Sequence, residues 1–419
     1  MGYFLIGANY KTTPIHLREK FALSHDDSIR FLNILLRDGA AEEGMLLSTC
    51  NRFEVYTITQ HVQEVTHKIK NYFSPLMSED EFDWNKMIYS YQDDKAILHA
   101  FRVVSSLDSL VIGENQILSQ FKQAYEFALA HKMSGNKLNH LATRALYVGK
   151  KIRTETDISK KPVSIGSIAL ELAGRIFENL NQKEVALIGG GKVSELVLHS
   201  LKNKGVDHLT WVNRSLNKAS KLFVDLKMDY KTYALDQLVS VLQKSDLLIF
   251  SLSVDHPLLT YDVVSKIMDQ RKNSPLILID LGIPRNVEES VGTLSHVYLY
   301  NIDHLDGIAK QNGKERGEWA KKAETLVSQL ALEYMQEMGK GRDTIQALHL
   351  KLENLRKKEV EKTLKKLPQL DKETQSALEK CTQSLVQKIL HEPILMLKKE
   401  QNRLEHTDIL RKFFKLDEE

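Results

Sequence analysis

The chain has 419 residues, more than one ordinary core holds, so two or three domains are expected at about 150 residues each. Hydrophobic residues make up 42% and charged residues 27%, a globular balance, and no run approaches the roughly 18 apolar residues of a membrane helix, which excludes a spanning protein. The net charge of +3 permits a nucleic-acid partner without requiring one, and a pair of cysteines, Cys50 and Cys381, excludes a disulfide framework and fits a reducing compartment.

Met1 to Ile6 has no basic flank and no small-residue cleavage site, so it reads as a first strand and cytoplasm is the expected compartment. Short β-like runs follow at Tyr3 to Gly7, Met45 to Leu47 and Val55 to Ile58, mixed with helical stretches, which predicts an α+β domain over 1–156. Ile165, Ile168, Ala169, Leu172, Ala173 and Ile176 recur at helical spacing ahead of the apolar run Val185 to Ile188. Runs at Leu209 to Val212, Leu247 to Phe250, Leu276 to Ile279 and Val297 to Tyr300 then alternate with helical or polar stretches, the pattern of a Rossmann-type doubly wound domain over 157–306. From 307 to 419 the Lys-, Glu-, Leu- and Gln-rich sequence predicts helix almost throughout. Ile345, Leu348, Leu352 and Leu355 give a short apolar seam, for pairing with a second copy or for packing within one chain.

Gly189, Gly190 and Gly191 follow a strand, and Lys192, Val193 and Ser194 open a helix, so the backbone can approach a pyrophosphate at a helix N-terminus. Ser194 stands where the third glycine of that motif usually falls. The second strand ends in Asn213-Arg214-Ser215, with no acid where an NAD site places one on the ribose. A guanidinium there suits a 2′-phosphate, which predicts NADPH; the other reading of Arg214 is a solvated residue at a helix start.

Cys50, taken alone, reads as a small buried hydrophobe or as a nucleophile. Thr49, Asn51 and Arg52 put polar groups and a cation beside it, and Arg52 can either stabilise a thiolate or bind an acidic substrate. The stretch Ser106 to Gln120, with Ser109, Glu114, Asn115 and Gln116, sets polar groups among aliphatics, where they need one another or a polar ligand. His99, on an apolar stretch, is a hydrogen-bonded core histidine or a neighbour of Cys50. No spacing of His, Cys, Asp and Glu resembles a zinc site, so no metal is expected.

Several of these segments, in order, resemble the glutamyl-tRNA reductase family: Gly7-Ala8-Asn9-Tyr10-Lys11-Thr12-Thr13-Pro14-Ile15 with Arg18-Glu19, Thr49-Cys50-Asn51-Arg52 with Glu54-Val55-Tyr56, and Leu107-Asp108-Ser109 with Gly113-Glu114-Asn115-Gln116-Ile117-Leu118. Gly149 to Ile158, Asp280-Leu281-Gly282-Ile283-Pro284-Arg285 and Lys388 to Pro393 extend the likeness. The resemblance implies that Cys50 takes the glutamyl group from tRNA(Glu) as a thioester, which NADPH reduces to glutamate-1-semialdehyde, the first step of five-carbon tetrapyrrole synthesis. It also implies a glutamyl pocket of Thr49, Asn51, Arg52, Ser109, Glu114, Asn115, Gln116 and Gln120, with His99 close to the reaction. A C-terminal helical dimerisation domain, a long helix near Leu305 to Met338, and the aminotransferase that takes the aldehyde as a partner follow from the same likeness. A non-catalytic regulator of the same pathway is the alternative. Tyr10, Ser106, Ser119, Leu252, Ser253 and Asn286 depart from the usual family residues, and Ser106, in place of a glycine, is expected to narrow the pocket.

Overall fold

The computed structural model describes residues 2–77, 82–114, 116–156, 158, 165–177, 180–206, 208–214, 229–272, 274–305, 317–367, 369–398 and 403–416. Two compact units emerge, Met1–Val327 and Ser328–Glu419.

The first unit holds two sheets. Strands β1 (Gly2–Asn9), β2 (Glu43–Ser48), β3 (Arg52–Thr59) and β4 (Tyr89–Gln92) form one, in the order β2-β3-β1-β4, with every pairing antiparallel. Strand β3 is buried along its whole length, and its side chains alternate between faces. Phe53 enters an aromatic cluster with Phe21, Phe31 and Phe73, with ring centroids 5.1 to 5.9 Å from its own. Arg52, Glu54 and Tyr56 face the other way, where apolar packing gives way to ion pairs and hydrogen bonds. Helices Asp93–Val104, Gln116–Ala130 and Asn136–Glu155 belong to the same part of the unit.

The second sheet has six parallel strands: β5 (Val185–Ile188), β6 (His208–Asn213), β7 (Asp229–Ala234), β8 (Leu247–Phe250), β9 (Leu276–Asp280) and β10 (Val297–Asn301). Their order, β10-β9-β8-β5-β6-β7, reverses direction between β5 and β8, and the glycine loop leaves β5 at that switch point. Strands β5, β8 and β9 are covered on both faces, which explains their unbroken apolar sequence. Two edge strands, β4 and β7, carry polar, half-exposed sequence and give no apolar run to read.

One apolar core crosses from the antiparallel part to the nucleotide part of this unit: Ile15, Leu110 and Val111 cluster with Ile168, Leu281, Ile302 and Leu305. Cys50, Tyr10, Val193 and Ile283 sit half-buried against it. The closure between these parts is therefore apolar at its centre and, as shown below, ionic at its rim.

The second unit is helical, comprising the rest of Gly317–Lys366 with Lys372–Lys398 and Arg403–Phe413. The long helix runs well past the expected end at Met338, and Pro393 lies inside its helix without ending it. Leu348 is buried against Val386 and Leu390, with Leu352 at their edge, whereas Leu355 is 53% exposed. The middle of the predicted seam thus packs within one chain. Among the described residues no helix is long and apolar enough to cross a membrane.

Candidate active site

Cys50 and Asn51 are the tip of the hairpin joining β2 to β3. Thr49 N–H donates to the Arg52 carbonyl at 2.8 Å, and the Thr49 hydroxyl accepts from the N–H groups of Asn51 and Arg52 at 3.2 and 3.1 Å. Thr49 therefore shapes the turn that presents the thiol. The thiol lines a small cavity, about 20 Å³, with Asn51, Arg52, Ser109, Glu114, Gln116 and Gln120. From the nucleotide part come Ile165, Val193, Leu281 and Ile302. That volume holds about one water molecule and no glutamyl group, so the cavity must widen to admit a ligand.

Burial pushes the Cys50 thiol up to about 12; the Glu114 carboxylate adds to this and Arg18 opposes it. The cation nearest in effect is thus Arg18, not the expected Arg52. Arg52 is committed elsewhere. Its Nη1 donates to Glu54 Oε1 at 2.7 Å, and its Nη2 donates to the Asp108 carbonyl and, at 3.2 Å, to Asp108 Oδ2.

Glu54 is fully buried and also accepts from Tyr56 Oη at 2.6 Å and Tyr89 Oη at 2.7 Å, with His99 Nε2 at 2.7 Å. Burial opposes its ionisation, but Arg52, His99 and Tyr56 outweigh that and hold the carboxyl below the usual range. His99 therefore sits on Glu54, against the rings of Tyr91 and Tyr89, and is not among the residues lining the Cys50 cavity. From sequence, Glu54 and Arg18 stand only as motif residues with no role assigned, and Tyr89 carries no signal. For Glu54 the signal is the Arg-x-Glu-x-Tyr alternation in a strand whose other face is apolar, where period-2 charge implies an internal polar network.

Ser109 is buried beside Glu114, whose carboxyl is raised by burial and pulled back by Ser109, Arg52 and Arg153. Asn51 Oδ1 is buried without a hydrogen-bond partner. A buried acceptor and a buried carboxyl in one cavity suit a cationic or N–H donor group of a ligand. Asn115 lies outside the described residues. Ser106 does not line the cavity, contrary to expectation. Its φ of +58° explains why glycine is usual there, and its hydroxyl donates to the Glu114 carbonyl at 2.6 Å and accepts from Arg153 Nη2 at 3.0 Å.

The glycine loop fits a dinucleotide. Gly189 has φ +128°, and a Cβ there would meet Ser251 Oγ at 2.6 Å; a Cβ on Gly190 would strike the Asn213 amide, while Gly191 faces open space. Lys192 is exposed at the helix start, and Ser194 is buried with Oγ 2.6 Å from Ser251 Oγ, so the serine in the third motif position ties the helix to the end of β8. Asn213 Oδ1 accepts from Arg214 N–H at 2.8 Å, and Arg214 Nη2 donates to the Ser253 carbonyl at 3.2 Å. Ser215 lies outside the described residues. Val193, from the same helix start, is the loop residue that reaches the thiol's cavity.

Two ion pairs rim the closure. Arg18 is buried and donates to Asp303 Oδ1 at 2.7 Å, to Asp303 Oδ2 at 3.3 Å and to the Cys50 carbonyl at 3.4 Å. Glu19 Oε1 accepts from Arg285 N–H at 2.6 Å and from its Nε at 3.0 Å. No group of three His, Cys, Asp or Glu suited to a metal occurs among the described residues.

Residues 6–156 match the model for the glutamyl-tRNAGlu reductase N-terminal domain, 171–308 that for shikimate / quinate 5-dehydrogenase, and 322–416 that for the glutamyl-tRNAGlu reductase dimerisation domain. The glutamyl-tRNA reductase of Thermodesulfovibrio yellowstonii is 33% identical, covering 100% of both chains. That of Syntrophobacter fumaroxidans is 36% identical over 95% of this chain and 87% of its own. A solved structure, glutamyl-tRNA reductase from Methanopyrus kandleri, is 28% identical over 99% of each chain with a TM-score of 0.46.

Proposed function

The chain belongs to the glutamyl-tRNA reductase family, and on that premise we propose that it reduces the glutamyl group of charged tRNA(Glu) to glutamate-1-semialdehyde through a thioester on Cys50, with NADPH. The observation that carries the reading is that Cys50 and Val193, the latter from the glycine-loop helix, face one cavity. The thiol and the place for a nicotinamide cofactor belong to one site.

In the first step the Cys50 sulfur attacks the ester carbonyl, the C–S bond forms, the C–O bond to the ribose breaks, and the ribose oxygen leaves with the thiol's proton. The tRNA is released by this step. When bound, the reduced nicotinamide supplies the hydride that turns the thioester carbonyl into an aldehyde and returns the cysteine sulfur. Asn51 Oδ1 and Glu114 are the acceptors for the substrate's ammonium, Arg52 with its Glu54 and Asp108 partners forms the rigid polar wall, and His99 is a positioning residue that acts through Glu54. Thr49 sets the turn, and Ser109, Asn115, Gln116 and Gln120 complete the glutamyl pocket. Gly189, Gly190, Gly191, Lys192, Ser194, Asn213 and Arg214 hold the dinucleotide, with Arg214 toward the 2′-phosphate.

A homodimer formed by the C-terminal helices, a cytoplasmic location and transfer of the aldehyde to an aminotransferase complete the proposal. Purified protein should oxidise NADPH when charged tRNA(Glu) is present and not with free glutamate. Cys50→Ser should abolish turnover; unchanged turnover in that variant refutes the mechanism.

A further inference from the structure

A second, open groove adjoins the thiol's cavity. It measures about 420 Å³, within the range of small-ligand sites, and Gln120 lines both spaces. Leu46, Leu47 and Ser48, at the end of edge strand β2 and just before Cys50, line one wall, their side chains alternating between the faces of the sheet. The rings of His25 and Phe127, whose centroids are 4.8 Å apart at 90°, also line the groove. Ser28 and Gln123 add a hydroxyl and an exposed amide.

The chemistry of this lining is narrow. Among the described residues no Lys, Arg, Asp or Glu lines the groove, which does not suit a phosphate or a carboxylate. Two aromatic rings beside amide and hydroxyl groups suit an uncharged heteroaromatic ring, which stacks on aromatic surface and bonds through its edge. The reaction defines what such a ring would be. An ester carbonyl at Cys50 Sγ has its glutamyl side in the cavity of Asn51 and Glu114, so its ribose must leave past the cavity wall. Ile165, Val193, Leu281 and Ile302 line that cavity from the nucleotide part, and Gln120 lines both the cavity and the groove.

We infer that the groove between His25, Phe127 and Ser48 receives the terminal adenosine of the charged tRNA, with its base against the rings of His25 and Phe127 and Gln120 at the junction of ribose and glutamyl group. This site rests on the function proposed above and adds the element that distinguishes a nucleoside ester from any other glutamyl ester.

The test fills the groove without touching the thiol. Gln123→Trp, at an exposed position, and Ala124→Trp, at a half-buried one, both obstruct it. Each should raise KM for charged tRNA(Glu) by about tenfold or more with kcat within about twofold, the loss expected when base stacking is removed. The trinucleotide cytidylyl-cytidylyl-adenosine should inhibit the unsubstituted enzyme competitively against charged tRNA and not against NADPH, and inhibition should vanish in both variants. Far-ultraviolet circular dichroism and NADPH binding, unchanged in the variants, show that they fold. Unaltered KM and retained inhibition in the folded variants, or competition against NADPH, overturn the site. If the unsubstituted enzyme forms no Cys50 thioester with charged tRNA, the functional reading itself fails, which is a separate result.

Discussion

Replacing Glu54 with glutamine removes one charge from the middle of the buried network while keeping its shape. Glu54 accepts from Arg52, Tyr56 and Tyr89 and is bonded to His99, four hydrogen bonds in all. Exchanging a charged acceptor for a neutral one costs about 1 kcal/mol per bond, hence about 4 kcal/mol. A second route gives a similar figure, because removing one partner of a buried ion pair costs roughly 3–5 kcal/mol. Arg52 would keep Asp108 as its counter-ion among the described residues, at 3.2 Å. Urea unfolding followed by circular dichroism should show the loss at pH 7. In the double variant Arg52→Met, Glu54→Gln the costs should fall short of their sum, since the orphaned guanidinium is gone. The pH dependence has a definite sign. Because Arg52 and its companions hold the folded carboxyl below its unfolded value near about 4.3, the stabilisation is complete above that pH and fades as pH falls toward the folded value. The difference between the unsubstituted protein and Glu54→Gln should therefore be flat from about pH 6 to 8 and shrink below about pH 4. A loss under about 1 kcal/mol, or one independent of pH down to the acid transition, refutes this account of the network.

Other outcomes follow from the rest of the site. With the thiol pushed up to about 12, alkylation at Cys50, read by mass spectrometry, should climb about tenfold per pH unit through pH 10; a plateau near the ordinary value of about 8.5 contradicts it. Asp303→Asn removes the counter-ion of Arg18 at the closure and should speed that alkylation at pH 8, whereas an unchanged rate means the ion pair does not hold the cavity shut. Arg214→Ala should weaken NADPH binding by about tenfold or more with little effect on NADH, and equal losses refute the phosphate role. Asp280, raised to about 6 by burial, accepts from the Asn286 amide at 2.9 Å. Asn286→Asp sets a second carboxyl there, so the variant should lose stability relative to the parent as pH rises from 5 to 8, and a pH-independent difference contradicts the pairing.

What the sequence made legible was what burial writes in apolar residues. Strands β5, β8 and β9 are buried on both faces, and their runs of Val, Leu and Ile mark them within a residue. Strands β4 and β7 lie at sheet edges, where polar residues are allowed, and Tyr89 to Gln92 and Asp229 to Ala234 look like loop. The polar constellation was harder for a different reason. Cys50 and Arg52 are neighbours in the chain, which suggested that one serves the other, but alternation in β3 turns Arg52 toward Glu54 and leaves Arg18, 32 positions earlier, beside the Cys50 carbonyl. Ser106 was read as an obstruction because a side chain replaces a glycine; the left-handed backbone there shows that the family's glycine answers to conformation. Asp303 and Arg285 could not be read as partners of Arg18 and Glu19, since separations of 285 and 266 residues leave no local pattern.

The two faces of β3 bear on how the thiol is positioned. Slipping the strand by one residue would drive Arg52 and Glu54 into the rings of Phe21, Phe31 and Phe73 and expose Phe53 to a polar network, so both faces reject the same error. Ser48 pairs with Phe53 across the hairpin, which leaves four residues for the turn. The place of Cys50 is therefore set by counting as much as by contact: one residue inserted or deleted between Ser48 and Phe53 would leave the sheet intact and move the sulfur out of its site.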